Sequence, residues 1–323
     1  MDTARGPRSP LDRLRTPRRV RNLSFAALAG LWIIVPSGTL VRLTDSGLGC
    51  PDWPLCDGGV VPEASSHQLI EYGNRLLSAV VMGLCVLAWL VIRRLPGRTT
   101  ALTVPSAVAA GATVGQVPLG GVTVLSGLHP IAVSSHFLLS MVALAAGAIL
   151  AVNTTRHAAG RTQRWDMRRG GLALAAALAG AATIVTGVLV TAAGPHAGDP
   201  GAIDRLGNVN DAAYVHVRAA AVFAVLAVIL TAWLVREGAP RETRALALAT
   251  LPLLVIQIGI GEYQFRNGLP WEVVQFHVSF AALIWGAIAA TAWSVVRPAA
   301  DAAATARAAQ AAEPDPARAG APS

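Results

Sequence analysis

Eight long apolar stretches dominate the chain and leave few folds open to it. Crossing the hydrocarbon of a bilayer takes about 20 apolar residues in a helix. The stretches lie at 23–43, 68–92, 101–124, 131–152, 171–192, 212–235, 244–262 and 273–296. Only 14% of the residues are charged, too few for an ordinary soluble domain. The runs are long and rich in Ala, Leu and Val, which argues against membrane strands. The sequence therefore predicts an all-α membrane protein with eight transmembrane helices.

An internal repeat divides these helices into two groups of four. Five residues recur at a constant offset of 141: Gln116, Gly120, Gly127, Leu128 and His136 return as Gln257, Gly261, Gly268, Leu269 and His277. Upstream, Tyr72-Gly73-Asn74 precedes Tyr214-Val215-His216 by 142, and Leu28-Ala29-Gly30 precedes Leu178-Ala179-Gly180 by 150. Such self-similarity is typical of a duplicated membrane protein. We expect two pseudo-symmetric four-helix bundles.

The domain boundaries follow from the repeat and the apolar stretches. The amino-terminal bundle is expected over 23–152 and the carboxy-terminal bundle over 171–297. A cytoplasmic linker over 153–170 joins them. The ends, 1–22 and 298–323, are rich in Arg or in Ala, Pro and charge, so they are predicted to be disordered cytoplasmic segments.

The arginines predict the orientation in the membrane. All but five of the 26 basic residues fall in the two ends and in the connections on one side of the helices. By the positive-inside rule, that side is cytoplasmic and both termini lie there. The loops 44–67, 125–130, 193–211 and 263–272 then face outward. Because the basic residues are spread over every inner connection, the charge reflects topology rather than a nucleic-acid partner. No cleavable signal is evident, since the first apolar stretch is long enough to span.

Four polar residues share one depth, near the outer ends of the second, fourth, sixth and eighth helices. They are Asn74, His136, His216 and His277. Polar groups inside a membrane are costly and usually mark a site. Two imidazoles on facing helices are the usual way to bind both axial positions of a haem iron, so His216 with His277 fits a b-type haem. The first half offers His136 opposite an amide, which leaves an axial position open or bound to water.

Other polar residues near these positions leave alternatives open. Glu71 shares a helix face with Asn74, and its counterpart in the second half is Ala213, so it has either a chemical role or an ion pair with Arg75 or Arg42. Arg75 and Arg218 either bind haem propionates or extend to the lipid headgroups.

His67 lies seven residues before Asn74 on the same helix face. It replaces the missing ligand only if a porphyrin lies nearer the surface. Cys50 and Cys56 lie in an outer loop, where they form either a structural disulfide or a redox-active dithiol.

The chain resembles the haem A synthase family, which acts in cytochrome oxidase assembly. The resemblance covers about residues 23–297, and its motifs are specific in combination. It rests on the three later histidines and on two stretches, Leu43-Thr44-Asp45-Ser46-Gly47-Leu48-Gly49-Cys50-Pro51-Asp52-Trp53-Pro54-Leu55-Cys56 and Ile70-Glu71-Tyr72-Gly73-Asn74-Arg75.

The resemblance implies two helical bundles and oxidation of the C8 methyl group of haem O to the formyl group of haem A. It assigns haem b to His216 and His277, and the substrate iron to His136 and the position of Asn74, where many members have histidine. Glu71 matches a carboxylate regarded as catalytic. Cys50 and Cys56 match a pair taken as a disulfide.

The resemblance also indicates where the protein acts and with what. It implies a multi-pass protein of the plasma membrane. The partners considered are haem O, haem O synthase, cytochrome oxidase assembly factors, membrane lipid and a second copy of the chain. The sequence leaves open the oligomeric state, the electron acceptor or donor, the redox activity of the thiols and the route of haem O delivery.

Two other functions are compatible with parts of the sequence. A membrane b-type cytochrome that only transfers electrons predicts two permanent haems and a dispensable Glu71. A transporter that uses the repeat to move substrate predicts histidines in a proton relay and a colourless protein.

Overall fold

In the part of the chain that the structure describes, the protein forms eight long helices and one short antiparallel strand pair. The computed structural model describes residues 14–62, 65–160, 163–164, 167–295 and 297–298. The helices are α1 Pro17–Leu43, α2 Ser66–Ile92, α3 Thr100–Leu125, α4 Pro130–Ala158, α5 Met167–Ala193, α6 Val209–Arg236, α7 Arg241–Arg266 and α8 Trp271–Ser294. The strands, β1 Gln163–Arg164 and β2 Arg297–Pro298, pair with each other. Within the described residues, eight helices are long and apolar enough to cross a membrane, which confirms the predicted fold class.

The helices begin and end at residues that suit these positions. Ser65 caps α2 by accepting a hydrogen bond from the N–H of Gln68, and Asn208 caps α6 through Asn210. Helices α3 and α7 are each followed by a Gly-Leu pair in the left-handed region. Leu128 has φ 61° and Leu269 has φ 59°. An identical and unfavourable backbone conformation therefore recurs at the repeat offset.

Neighbouring helices close a ring of four in each half. In the first half α1 packs on α2 and α4, and α3 packs between α2 and α4; α5 to α8 are arranged in the same order. The rings meet where α8 packs on α1 and α4, and where α4 contacts α5. Equivalent contacts occur in both halves, since Gly30 faces Val81 as Gly180 faces Phe223. Pseudo-symmetry of the two bundles as whole bodies stays a prediction.

The apolar core follows this division. One buried cluster fills the first half around Leu31, Val81 and Leu144, and a second fills the other half around Phe223 and Leu230. The indole of Trp285 on α8 packs against both clusters, and its N–H donates to the Met141 carbonyl of α4 at 2.8 Å. The two halves therefore share a continuous apolar interior.

Helix ends extend beyond the predicted boundaries. Helix α1 begins at Pro17, so residues 17–22 are helical and the prediction of a disordered segment is wrong for them. Proline at the first helical position favours this start, because its missing N–H has no partner there in any case. Residues 1–13 and 299–323 lie outside the described residues.

Helix α4 likewise continues through 153–158, and 167–170 belong to α5, so much of the predicted linker is helical. The continuation of α4 is stabilised by Asn153, which bonds the Ala101 carbonyl and Trp293, and by Arg156, which bonds the Ser294 carbonyl.

Candidate functional site

The two imidazoles of the second half face each other. His216 on α6 and His277 on α8 have ring centroids 6.4 Å apart and ring planes 75° apart. A metal between two imidazoles needs two metal–nitrogen bonds of about 2.0–2.1 Å each. Together with the distance from each nitrogen to the centre of its ring, these bonds give about the same separation of the ring centroids. The pair therefore has the separation that an iron atom between two axial imidazoles requires. Among the described residues, no three or more His, Cys, Asp or Glu side chains are placed to hold a metal ion.

Surrounding residues fix these rings. The His216 Nδ1 lies 3.1 Å from the Thr183 carbonyl and 3.2 Å from the Thr186 hydroxyl, both on α5. A Cβ at Gly187 would lie 3.0 Å from the His216 Cε1, and one at Gly261 would lie 3.1 Å from the His277 Cε1. The imidazoles thus occupy the space left by glycines on neighbouring helices. A hydrogen bond at the second ring nitrogen, as at the His216 Nδ1, is typical of metal-ligating histidines. This bond and the separation of the two rings fit a haem.

His136 has the same surroundings as His277. Gln116 donates to the His136 carbonyl at 3.0 Å, and Gln257 donates to the His277 carbonyl at 2.9 Å. Gly120 faces the His136 ring as Gly261 faces that of His277. In both rings Nδ1 is buried and has no hydrogen-bond partner among the described residues. In each half, the repeat therefore preserves the helix that carries this imidazole and the neighbouring helix that carries the glutamine and the glycine.

Asn74 faces α1. A Cβ at Gly38 would lie 3.9 Å from the Asn74 Oδ1, and this oxygen is buried without a hydrogen-bond partner in the described part of the chain. Its counterpart His216 faces α5 in the same way.

Glu71 is buried, with 5% of its surface exposed, and both carboxylate oxygens are bonded. Oε1 pairs with the Arg75 guanidinium at 2.5 Å, and Oε2 accepts the N–H of Cys50 at 2.7 Å. Of the two ion-pair partners that the sequence allows, the structure therefore selects Arg75. Arg42 instead donates to the His196 carbonyl. The ion pair does not exclude a chemical role, because each oxygen keeps a free lone pair.

Arg75 connects α2 to the outer loop. Its guanidinium donates to the Leu55 carbonyl at 2.8 Å and the Cys50 carbonyl at 3.1 Å, and lies 4.9 Å from the ring centroid of Trp53. Both terminal nitrogens of the guanidinium therefore already donate hydrogen bonds within the protein, rather than to a haem propionate. The described contacts of Arg218 are with Tyr214, on the turn before it. The structure thus brings neither arginine into contact with an imidazole.

The outer loop closes over Glu71. Cys50 and Cys56 form a disulfide and are 0% and 2% exposed. Trp53 reaches α3, where a Cβ at Gly121 would lie 2.7 Å from its indole Nε1. The predicted disulfide is confirmed, and its burial favours a structural staple over a redox-active dithiol.

His67 is exposed, in the first turn of α2. Its Nδ1 is 3.0 Å from the Ser46 hydroxyl, and the ring lines a cavity of about 430 Å³ together with Asp45, Asp199 and the adjacent outer loops. This position does not support His67 as the second ligand of the first half.

Sequence reasoning missed several residues that shape the site. Thr183, Thr186 and Gly187 contact His216 from α5. The repeat gives no signal for them, because the offset of 150 places Ile33, Pro36 and Ser37 at the equivalent points of α1. His196 joins the halves on the outer face: its carbonyl accepts from Arg42, and its Nε2 lies 2.8 Å from the Leu269 carbonyl.

Comparisons with known proteins indicate the family. A family model, COX15-CtaA, described as cytochrome oxidase assembly protein, matches residues 21–198, more than half of the chain. Heme A synthase of Lysinibacillus sphaericus is 33% identical over 138 residues, which are 42% of this chain and 45% of that protein. Heme A synthases of Bacillus pumilus and Bacillus cereus strain AH187 are each 32% identical, over 41% of this chain and 44% and 43% of theirs. The matched region spans under half the length of these relatives. On the family match, the chain belongs to the COX15-CtaA family of cytochrome oxidase assembly proteins.

Proposed function

We propose that the chain is a haem A synthase, an oxidoreductase that converts the C8 methyl group of haem O to the formyl group of haem A for cytochrome oxidase. The observation that carries the proposal is the pair of facing imidazoles, His216 and His277, in one half, with the isolated His136 in the other. A permanent redox centre beside a substrate site is what this oxidation needs. The names of the relatives support the same reaction.

In this proposal His216 and His277 bind haem b in the second half. Haem b supplies a one-electron redox centre close to the substrate. Thr183 and Thr186 fix the His216 ring, so that its Nε2 is available to the iron. His136 binds the iron of the substrate haem O in the first half.

Glu71 acts on the substrate methyl group. The Arg75 guanidinium and the N–H of Cys50 hold its carboxylate in one orientation through charge-assisted bonds. A fixed, buried negative charge stabilises positive charge that develops at the methyl carbon, and it accepts a proton at the lone pairs that remain. Cys50 and Arg75 are thereby positioning residues for Glu71.

The proposal includes a place in the cell. It places the protein in the plasma membrane, as the family resemblance implies. The arginine distribution supports an orientation with both termini cytoplasmic and the site near the outer face. Haem O synthase and other assembly factors are the expected partners, together with a possible second copy of the chain.

The test is haem analysis of the purified protein, expressed in a bacterial host that makes haem O but no haem A. We expect wild-type protein to yield haem B together with haem O and haem A on chromatography. Glu71→Gln keeps the Cys50 hydrogen bond but loses the ion pair, and we expect haem A to fall about 100-fold or more while both haems remain bound.

The matched control is Glu262→Gln, because Glu262 and Arg266 form the same i,i+4 pair at the surface of α7. Haem A formation should be unchanged in this variant. Unchanged haem A in Glu71→Gln would remove Glu71 from the reaction. Two permanent haems B with no haem O or haem A would favour the electron-transfer cytochrome instead.

A further inference from the structure

The two halves are alike around one imidazole and different on the opposite side. His136 and His277 share the glycine contact and the glutamine bond to the backbone carbonyl. The facing positions hold Asn74 in one half and His216 in the other. The two halves therefore differ on one side of the site, the side opposite His136 and His277.

The neighbours of Asn74 changed with it. The Thr186 hydroxyl contacts the His216 Nδ1, and the offset of 150 places Pro36 at the equivalent point of α1. Proline has no hydroxyl, and the Pro36 carbonyl accepts a bond from Gln275 of α8 at 2.9 Å. The first half therefore lacks the side-chain hydroxyl that orients an imidazole in the second.

Asn74 itself is suited to a ligand other than iron. A carboxamide is a poor ligand for iron compared with an imidazole. It offers two donors and one acceptor, and the Asn74 Oδ1 is buried without a partner among the described side chains. A small molecule beside it would satisfy this oxygen or accept from the amide.

We propose that the first half binds the substrate iron through His136 alone, and that the opposite axial position is a site for a small exchangeable ligand, such as water or a diatomic molecule, hydrogen-bonded by Asn74. This inference rests on the proposed function. Glu71 lies three residues before Asn74 on the same helix face, so the ligand and the carboxylate share one side of the substrate. His67, held by Ser46 in the outer cavity, does not compete for this position.

Carbon monoxide is the probe, applied to the dithionite-reduced, full-length protein loaded with haem B and haem O. We expect one of the two haems to bind CO and the other to stay six-coordinate. Asn74→Ala should still bind CO, but with a shifted C–O stretch and a dissociation rate about two- to tenfold faster, the effect of losing one hydrogen bond. His67→Gln should match wild type.

The repeat provides a matched variant, His216→Asn, which places the same amide in the second half. We expect it to make haem b reactive toward CO as well, so that the protein binds two CO molecules. In the oxidised wild-type protein, cyanide should likewise bind to one of the two haems only.

The outcomes separate the two proposals. If the wild-type protein makes haem A but its haem O is inert to CO and cyanide, this inference is overturned and the proposed function stands. Unaltered CO release and stretch in Asn74→Ala overturn the hydrogen bond from Asn74. A protein that binds no haem O overturns both proposals.

Discussion

At the scale of single residues, glycines determine how closely the imidazoles approach the neighbouring helices. Gly187, Gly120 and Gly261 each face one histidine ring, and a Cβ at any of them would lie within 3.4 Å of it. Glycine in a helix interior costs about 1 kcal/mol relative to alanine. We therefore infer that these glycines are present because they leave space for the imidazole rings.

Gly187→Val tests this at His216. The added methyl groups would push the ring off the axis to His277, and we expect haem b affinity to fall about 10- to 100-fold, as for the loss of an orienting contact in a metal site. Haem titration followed by absorbance measures the effect. Gly259→Val is the control, because nothing lies within 4 Å of that position on α7. Equal loss in both variants would point to a general effect of valine on the helices.

At the scale of elements, the outer loop from Cys50 to Gly59 does more than connect α1 to α2, because it packs against the helices. Trp53 packs on α3, Arg75 bonds three of the loop's carbonyls, and the disulfide is buried. This loop orients the Cys50 N–H toward Glu71. Its stability should therefore determine how well the carboxylate is positioned.

Gly121→Val tests the Trp53 contact. A side chain at this position overlaps the indole, and such overpacking costs about 1–3 kcal/mol. We expect the disulfide to be reduced by dithiothreitol about tenfold faster or more, since each 1.4 kcal/mol corresponds to a factor of ten. Alkylation of the released thiols measures the rate. Gly111→Val on the same helix is the control, because a Cβ there meets open space. A wild-type rate in Gly121→Val would mean that Trp53 does not secure the loop.

The same loop should respond to acid through Asp52. The Gly58 N–H at 2.8 Å, with that of Asp57, holds the pKa of the Asp52 carboxyl below its usual range. A lowered pKa in the folded state stabilises the loop above the unfolded value of about 3.9, and this is lost as pH falls through the folded pKa. We therefore expect amide exchange at Asp57 and Gly58, corrected for intrinsic rates, to lose protection only below about pH 4. In Asp52→Asn this acid dependence should be absent; its persistence would assign the effect to another group.

Much of this fold follows from composition and repetition, whereas the loop contacts do not. The eight helices are predictable because length and apolar content suffice to identify them. The candidate ligand positions are predictable because the duplication pairs Asn74 with His216 and His136 with His277. The contact of Trp53 with Gly121 joins residues distant in sequence in a loop without periodicity, so no local pattern indicates it. The choice of Arg75 over Arg42 as partner of Glu71 depends on side-chain packing in the same way.

At the scale of the whole molecule, the two halves are joined at both ends and in the middle. At the end that carries the Cys50–Cys56 loop, the N–H of Gly47 donates to the Gly198 carbonyl at 2.7 Å. In the middle Trp32 donates to the Ser279 carbonyl at 3.2 Å. At the opposite end Trp293 donates to Asn153 at 2.7 Å. The halves should consequently unfold together.

Orientation in the membrane belongs to this scale and is tested by labelling. Ile203, 82% exposed in the third outer loop, and Arg98, exposed between α2 and α3, should lie on opposite sides. We expect Ile203→Cys to react with a membrane-impermeant maleimide in intact cells, and Arg98→Cys to react only after permeabilisation. The native thiol of Cys85 is buried and should contribute little background. The reverse pattern would invert the topology and place the haem sites on the inner side.

Helix α8 belongs to both halves, since it carries His277 and also packs on α1 and α4. Displacing it for any reason would disturb the proposed substrate site as well as the proposed haem b site. Loss of turnover in an α8 variant therefore cannot be assigned to one bundle until the spectra of both porphyrins have been recorded separately.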